Sequence, residues 1–277
     1  MLGFFFMFRG IKEREVELMN KPILTIKDLR VHFNKNGDWF TAVDGVSLEL
    51  RENEIFALVG ESGSGKSALA LAVTGLHNKN FTKIEGSIWL RDVCVAPNTC
   101  KRRKAAVPLP PLVFQDPLSA LNPLMKIGAQ IEEALIYGTN LSKTQRKTRV
   151  LELLSEVGLK DPQYIYSRLP HELSGGMRQR VVIAMAVSCK PEIIIADEPT
   201  TALDVTIQAQ ILKLLKKLQR ETKAAILLIT HDLGVVSEIA DRVGVMYAGK
   251  IVETSSVDEL FDNPRHTYTR SLLELMI

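Results

Sequence analysis

Apolar positions along this chain follow two rhythms. Ile23 to Phe33 and Val43 to Leu50 alternate apolar and polar residues, as half-buried strands do, with the polar stretch 34–38 as the turn between them. Ile55 to Val59, Ile193 to Ala196 and Ile226 to Ile229 are unbroken apolar runs of strand length, the mark of strands buried on both faces. Ile84 to Leu90 reads as a further strand. From Pro117 to Arg180 the period turns helical. Ile127, Ile131 and Leu135 share one face, and Val150, Leu154 and Val157 form a second stripe. Ser142 with Gln145 three residues later predicts a capping box, and Gly158 a helix stop. Val181 to Val187 and the amphipathic Ile207 to Leu218 add two helices. Strands alternating with helices around apolar β-runs predict an α/β fold with a mostly parallel sheet covered on both faces.

The first apolar run leads into Gly60-Glu61-Ser62-Gly63-Ser64-Gly65-Lys66-Ser67, and a small-residue helix, Ala68 to Val73, follows. A G-x-x-x-x-G-K-S loop between strand and helix is built to hold phosphates. Its glycines let successive backbone N–H groups curl around an anion, and the helix directs its positive end at the same point. Lys66 would reach β- and γ-phosphates, and the Ser67 hydroxyl would ligate Mg²⁺.

A second stretch, Leu173-Ser174-Gly175-Gly176-Met177-Arg178-Gln179, narrows the choice. It resembles the signature of the ATP-binding cassette (ABC) ATPases. Its surroundings resemble the same family: Ile193-Ile194-Ile195-Ala196-Asp197-Glu198 (Walker B), Ala202-Leu203-Asp204 (D-loop), Thr230-His231-Asp232 (switch histidine) and Phe114-Gln115-Asp116-Pro117 (Q-loop). These elements cover about Ile23 to Glu253 in the family's order. The resemblance implies a P-loop NTPase (RecA-like) core with a parallel sheet, an antiparallel β subdomain and an inserted α-helical subdomain at about 117–180. On this reading residues 23–255 form one ABC ATPase domain, 1–22 a tail and 256–277 a short helical tail.

The resemblance also distributes roles. Glu198 is the candidate base for ATP hydrolysis, Asp197 holds Mg²⁺ through its waters, and His231 orients the attacking water. Gln115 reaches Mg²⁺ and that water. ATP lies along Gly60, Glu61, Ser62, Gly63, Ser64, Gly65, Lys66, Ser67 and Ala68. Ser174, Gly175, Gly176, Gln179 and Asp204 face nucleotide across a dimer interface, because one phosphate loop and one signature per chain require two chains for a complete site. An aromatic at the position of Phe33 stacks on adenine in the family. Phe33 also reads as a core residue, and Trp39 and Phe40 are the other aromatics nearby.

One stretch departs from the family pattern. Between Arg91 and Leu112, Pro97, Pro108, Pro110 and Pro111 stand where a short helix and a clean strand would precede the Q-loop. Proline donates no ladder hydrogen bond. The strand before Gln115 must be short, roughly Leu112 to Phe114, which leaves the geometry of Gln115 open.

Composition adds exclusions. A formal charge of +3 is too mild to argue for nucleic acid, and the run Lys101-Arg102-Arg103-Lys104 reads as a solvated loop. Three cysteines without C-x-x-C spacing read as reduced thiols. The apolar start Met1 to Phe8 is about half the length that spans hydrocarbon. It reads either as a disordered or membrane-surface tail or as upstream of a true start at Met19.

Within the superfamily, Ala42-Val43-Asp44-Gly45-Val46-Ser47, Leu121-Asn122-Pro123 and Leu169-Pro170-His171-Glu172 look like the ATPase subunits of peptide and nickel importers. Asn263-Pro264-Arg265-His266-Thr267-Tyr268-Thr269 resembles their N-P-x-H-P-Y-T, with Thr267 in place of proline. That resemblance implies a second, different ATPase subunit, two membrane permease subunits and an extracytoplasmic solute-binding protein, with this chain at the cytoplasmic face of the membrane. An exporter ATPase is the alternative that the 263–269 stretch disfavours.

Overall fold

The computed structural model describes residues 22–95, 107–201 and 203–274. The apolar start, the basic run 101–104 and Ala202 lie outside the described residues. In chain order the strands are β1 (Pro22–Lys35), β2 (Asp38–Arg51), β3 (Ile55–Val59), β4 (Thr82–Leu90), β5 (Val93–Cys94), β6 (Leu112–Val113), β7 (Ile193–Asp197), β8 (Ala225–Thr230), β9 (Arg242–Tyr247) and β10 (Lys250–Ser256). The helices are α1 (Lys66–Thr74), α2 (Pro117–Ala120), α3 (Ile127–Gly138), α4 (Lys143–Glu156), α5 (Pro162–Tyr166), α6 (Gly175–Val187), α7 (Val205–Thr222), α8 (Leu233–Ile239), α9 (Val257–Asp262) and α10 (Thr267–Glu274).

Four strands form an antiparallel sheet in the order β2-β1-β4-β5, and six form the central sheet in the order β10-β9-β3-β8-β7-β6. Within the central sheet β9, β3, β8, β7 and β6 run parallel, and β10 returns antiparallel. The β1–β2 hairpin is longer than the alternation predicts, because Asn36 and Gly37 both take positive φ (57° and 98°) and close it with two residues. Of the polar positions read as turn, Lys35, Asn36, Gly37 and Asp38 form the exposed tip of that ribbon, and Asn34 is half-buried.

The fully apolar strands serve two cores. Ile194, Ala196, Ile226 and Leu228 face the helical insertion, where they join Ile131, Leu154, Val181 and Ile211. Their neighbours Ile193, Ile195, Leu227 and Ile229 face the antiparallel sheet and α1, with Phe56, Leu58 and Leu69. Each isoleucine, leucine or phenylalanine among them contributes about 1.5–3 kcal/mol on burial. Period two sends successive residues to opposite faces, which is why these strands read as unbroken runs. A third cluster lies on the β9 side, where Ala57, Val59, Val243 and Val245 meet Leu260, Tyr268 and Leu272.

The insertion between β6 and β7 is helical. Ser142 accepts from Gln145 N while Gln145 Oε1 accepts from Ser142 N (2.9 Å), and α4 ends before Gly158 at φ 75°. Proline confines β6 to two residues at the sheet edge. Cys189 is free, but Cys94 is disulfide-bonded, which corrects the expectation of three reduced thiols. Cys94 ends the short edge strand β5, where a thiol can be bridged without disturbing the core; its partner lies outside the described residues. Among the described residues no helix is long and apolar enough to cross a membrane.

Candidate nucleotide site at the C-terminal edge of the sheet

Sheet register gathers the candidate residues. Val59 pairs with Thr230, Asp197 with Ile229, and Val113 with Ala196, so parallel strands end at one level. The loop after β3, His231 after β8, Glu198 after β7 and Gln115 after β6 therefore emerge at the same edge. In open α/β sheets ligands bind there.

The phosphate loop is held from outside by backbone. Gly60 has φ 150°, and a Cβ on it would lie 2.1 Å from the Met246 carbonyl oxygen. Gly65 has φ 107°, and a Cβ there would lie 2.2 Å from the Ala42 carbonyl oxygen. Gly249 N donates to Ser64 O at 3.0 Å, so the β9–β10 turn pins the middle of the loop. Lys66 is 5% exposed. Its ammonium donates to Gly60 O (2.7 Å), Glu61 O (2.8 Å) and Ser64 Oγ (3.3 Å). Burial lowers its pKa, against the opposing pull of Glu198, Asp197 and Glu61. Gly65→Ala should force the loop against Ala42, at about 1–3 kcal/mol of strain. Nucleotide titration should then show affinity falling about tenfold or more, with the fold intact by circular dichroism.

Glu198 is the focus of the polar contacts. Gln115 Nε2 donates to its Oε2 at 3.0 Å and Thr201 Oγ1 donates to the same oxygen at 2.9 Å. His231 Nδ1 lies 3.0 Å from Oε1. The Glu198 backbone takes φ 46°, a left-handed conformation, while its N–H donates to Ile229 O at 2.8 Å. Strain of this kind at a non-glycine residue persists only where the surroundings enforce it. The prolines before β6 do not displace Gln115, whose amide reaches across to the end of β7. Thr201 is a contact that sequence reasoning did not single out; a threonine three residues past a glutamate carries no signal on its own.

Beside it, Asp197 Oδ1 is buried without a hydrogen-bond partner. Burial raises the Asp197 pKa, and a hydrogen bond from Ser67 and the charge of Lys66 oppose that. A buried, unsatisfied carboxylate oxygen next to a serine hydroxyl is a hard oxygen-donor set that fits a magnesium ion. Mg²⁺ is commonly held by one or two carboxylates, with substrate phosphates and water completing its shell.

The signature residues lie elsewhere. Ser174 caps α6 by accepting from Met177 N at 3.4 Å. Cβ atoms on Gly175 and Gly176 would meet Leu203 and Ile207, at 3.6 and 2.7 Å. The two glycines of the signature thus face Leu203 and the start of α7. Asp204 caps α7, accepting from Ile207 N at 3.0 Å. Gln179 is 1% exposed, with its Nε2 unpaired inside the protein. Phe33 is half-buried and stacks on Phe40 with ring centroids 5.6 Å apart. Both stand at the ribbon end of the hairpin, near Ala42, which touches Gly65; the sequence alone did not reveal this pairing.

Comparison with known proteins bears on the family and the fold. A family model described as ABC transporter matches residues 43–201. The oligopeptide transport ATP-binding protein OppD of Lactococcus lactis subsp. cremoris (strain SK11) is 53% identical over 258 residues, 92% of this chain and 75% of that protein. The dipeptide transport ATP-binding protein DppD of Bacillus subtilis (strain 168) is 47% identical over 256 residues, 91% and 76% of the two chains. Among solved structures, a dimeric bacterial ABC transporter cassette superposes with a TM-score of 0.72 at 28% identity, covering 84% of this chain and 98% of that one. A dimeric cassette in a post-hydrolysis state, bound to ADP and Pi, superposes with a TM-score of 0.71.

Proposed function

Because the chain belongs to the ABC transporter family of ATP-binding proteins, we propose that it hydrolyses ATP to drive di- or oligopeptides through separate membrane permease subunits. The observation that carries the enzymatic part is the convergence of Gln115, Thr201 and His231 on Glu198, at the sheet edge where the phosphate loop also ends. Similarity to oligopeptide and dipeptide transport proteins supports the substrate class.

The chemistry follows from the contacts. Lys66 would keep its bond to Gly60 O, while phosphate oxygens would take the places of Glu61 O and Ser64 Oγ through stronger charge-assisted bonds. The backbone N–H groups of the loop from Ser62 to Ala68 would cradle the remaining phosphate oxygens, with Phe33 beneath the base. Ser67, Asp197 and Gln115 would hold Mg²⁺. When bound, that ion would supply charge compensation for the transferring phosphoryl group. Glu198 would take the proton of a water as its oxygen attacks the γ-phosphorus, while ADP leaves. The restraints from Gln115, Thr201 and His231 keep the carboxylate from swinging away. His231 is well exposed, with 59% of its side chain accessible, so it can turn toward the γ-phosphate without rebuilding a core.

The same reading assigns Ser174, Gly175, Gly176, Gln179 and Asp204 to the interface with a second, different ATPase subunit. Gln179, buried, would act by bracing α6 rather than by touching nucleotide. An extracytoplasmic binding protein would deliver the solute, with this chain peripheral at the cytoplasmic face. Reconstitution with the permease subunits and the binding protein tests the assignment. Labelled di- or oligopeptides should enter vesicles only with ATP and Mg²⁺. Uptake of nickel but of no peptide would overturn the substrate class.

A further inference from the structure

The Asn263-to-Thr269 stretch is a sequence motif that ATP hydrolysis does not use, and it reaches the phosphate loop. Tyr268, the second residue of α10, accepts a hydrogen bond through its hydroxyl from Glu61 N at 3.1 Å. The two residues are 207 positions apart. The tyrosine is fastened on every side. Its ring lies against Tyr247, with centroids 4.3 Å apart, just before the turn whose Gly249 holds Ser64. Its backbone N–H donates to His266 Nδ1 at 3.2 Å. The chain before it is tied to the buried Glu253, whose carboxylate accepts from Arg265 N (2.8 Å) and His266 N (2.9 Å). After it, Leu272 and Leu273 pack into the cluster that contains Val59, the last residue of β3.

Glu61 N and Gly60 O belong to one peptide unit, which is planar and rigid. Its N–H points to Tyr268, and its carbonyl accepts from the Lys66 ammonium at 2.7 Å. The tyrosine and the lysine therefore grip the two ends of a single plane. Glu61 N lies where water could satisfy it, so the hydroxyl is not needed to avoid a buried orphan. What the hydroxyl adds is direction.

We propose that Tyr268 is a positioning residue for ATP binding: by fixing the Gly60–Glu61 peptide it sets where Lys66 stands, and so couples the C-terminal helix to the phosphate loop. The proposal rests on the reading that this loop binds ATP. Because Lys66 would hold phosphates in substrate and transition state alike, misplacing it weakens both equally. The expected signature is a raised KM at nearly constant kcat.

Tyr268→Phe keeps the ring on Tyr247 and removes only the hydroxyl. In the assembled transporter with its normal partner subunits, KM for ATP should rise about five-fold, the usual worth of one hydrogen bond, while kcat stays within about two-fold. The nucleotide-free melting temperature should not move, and the increment that ATP adds to it should shrink. An unchanged KM overturns the proposal. So does a joint fall of kcat and nucleotide-free melting temperature, which would mark a merely structural tyrosine. Lys66→Ala, measured alongside, separates the two readings. If it binds ATP as wild type does, the assignment of the loop fails; if it loses binding while Tyr268→Phe matches wild type, only the role of Tyr268 fails.

Discussion

Glu198→Gln should abolish most turnover while leaving nucleotide binding intact. Glutamine keeps the length of the side chain and one carbonyl oxygen. That oxygen can still accept from Gln115 Nε2 and Thr201 Oγ1, the two donors that now share Oε2. The left-handed backbone at φ 46° is no harder for glutamine than for glutamate, and its N–H remains bonded to Ile229 O. The fold is therefore expected to survive. What disappears is the capacity to take a proton, and removing a positioned base costs about 10²–10⁴-fold. Turnover in the assembled complex should fall by that factor, with KM for ATP little changed. The ATP-bound dimer should accumulate in light scattering, since nothing now releases it. Turnover near wild type would remove Glu198 from the role of base.

The parts of the fold that were readable share a physical cause. Strands β3, β7 and β8 are covered on both faces, so burial wrote itself as runs such as Ile193-Ile194-Ile195-Ala196. The capping box at Ser142 and the stop at Gly158 are local chemistry, complete within a few residues. Strands β9 and β10 were not read. Gly244 interrupts the first, where a Cβ would come within 3.0 Å of the Phe56 ring, and the second pairs only at the sheet's edge. The hairpin between β1 and β2 carried its signal in Asn36-Gly37, yet the exposed ribbon beyond Asp38 lacks the alternation that marks a half-buried strand.

At the site, the chemistry of the glycine loop pointed to Lys66, and the family resemblance pointed to Glu198 and His231. Neither could show that Thr201 shares an oxygen with Gln115, or that Phe33 stacks on Phe40. Those contacts depend on side-chain direction at the ends of different strands. The pairing of Tyr268 with Glu61 is further out of reach, since only the closed third core brings α10 to the loop.

A complete site on this reading takes its phosphate loop from one chain and its signature from another, and Ser174→Arg against Lys66→Ala tests that division. Each chain carries one of each element. The signature's neighbours within its own chain are Leu203 and Ile207, on the D-loop side. The N-terminus of α6, a helix of 13 residues, opens with Gly175 and Gly176 and presents a positive dipole end, which would suit the γ-phosphate of a facing subunit. An arginine at Ser174 would fill that approach. Lys66→Ala instead removes a charge-assisted contact from the chain's own nucleotide, about 1.5–3 kcal/mol, or about 10- to 150-fold in affinity. Isolated Ser174→Arg protein should bind ATP almost as wild type does, yet fail to form the ATP-dependent dimer with its partner ATPase. Its helix also loses a cap worth about 1 kcal/mol. Ser174→Ala, which loses the same cap without the bulk, should still dimerise and so separates the two effects. Monomeric ATP affinity that falls as steeply for Ser174→Arg as for Lys66→Ala would mean that the signature acts on its own chain's loop, and the two-chain site would have to be abandoned.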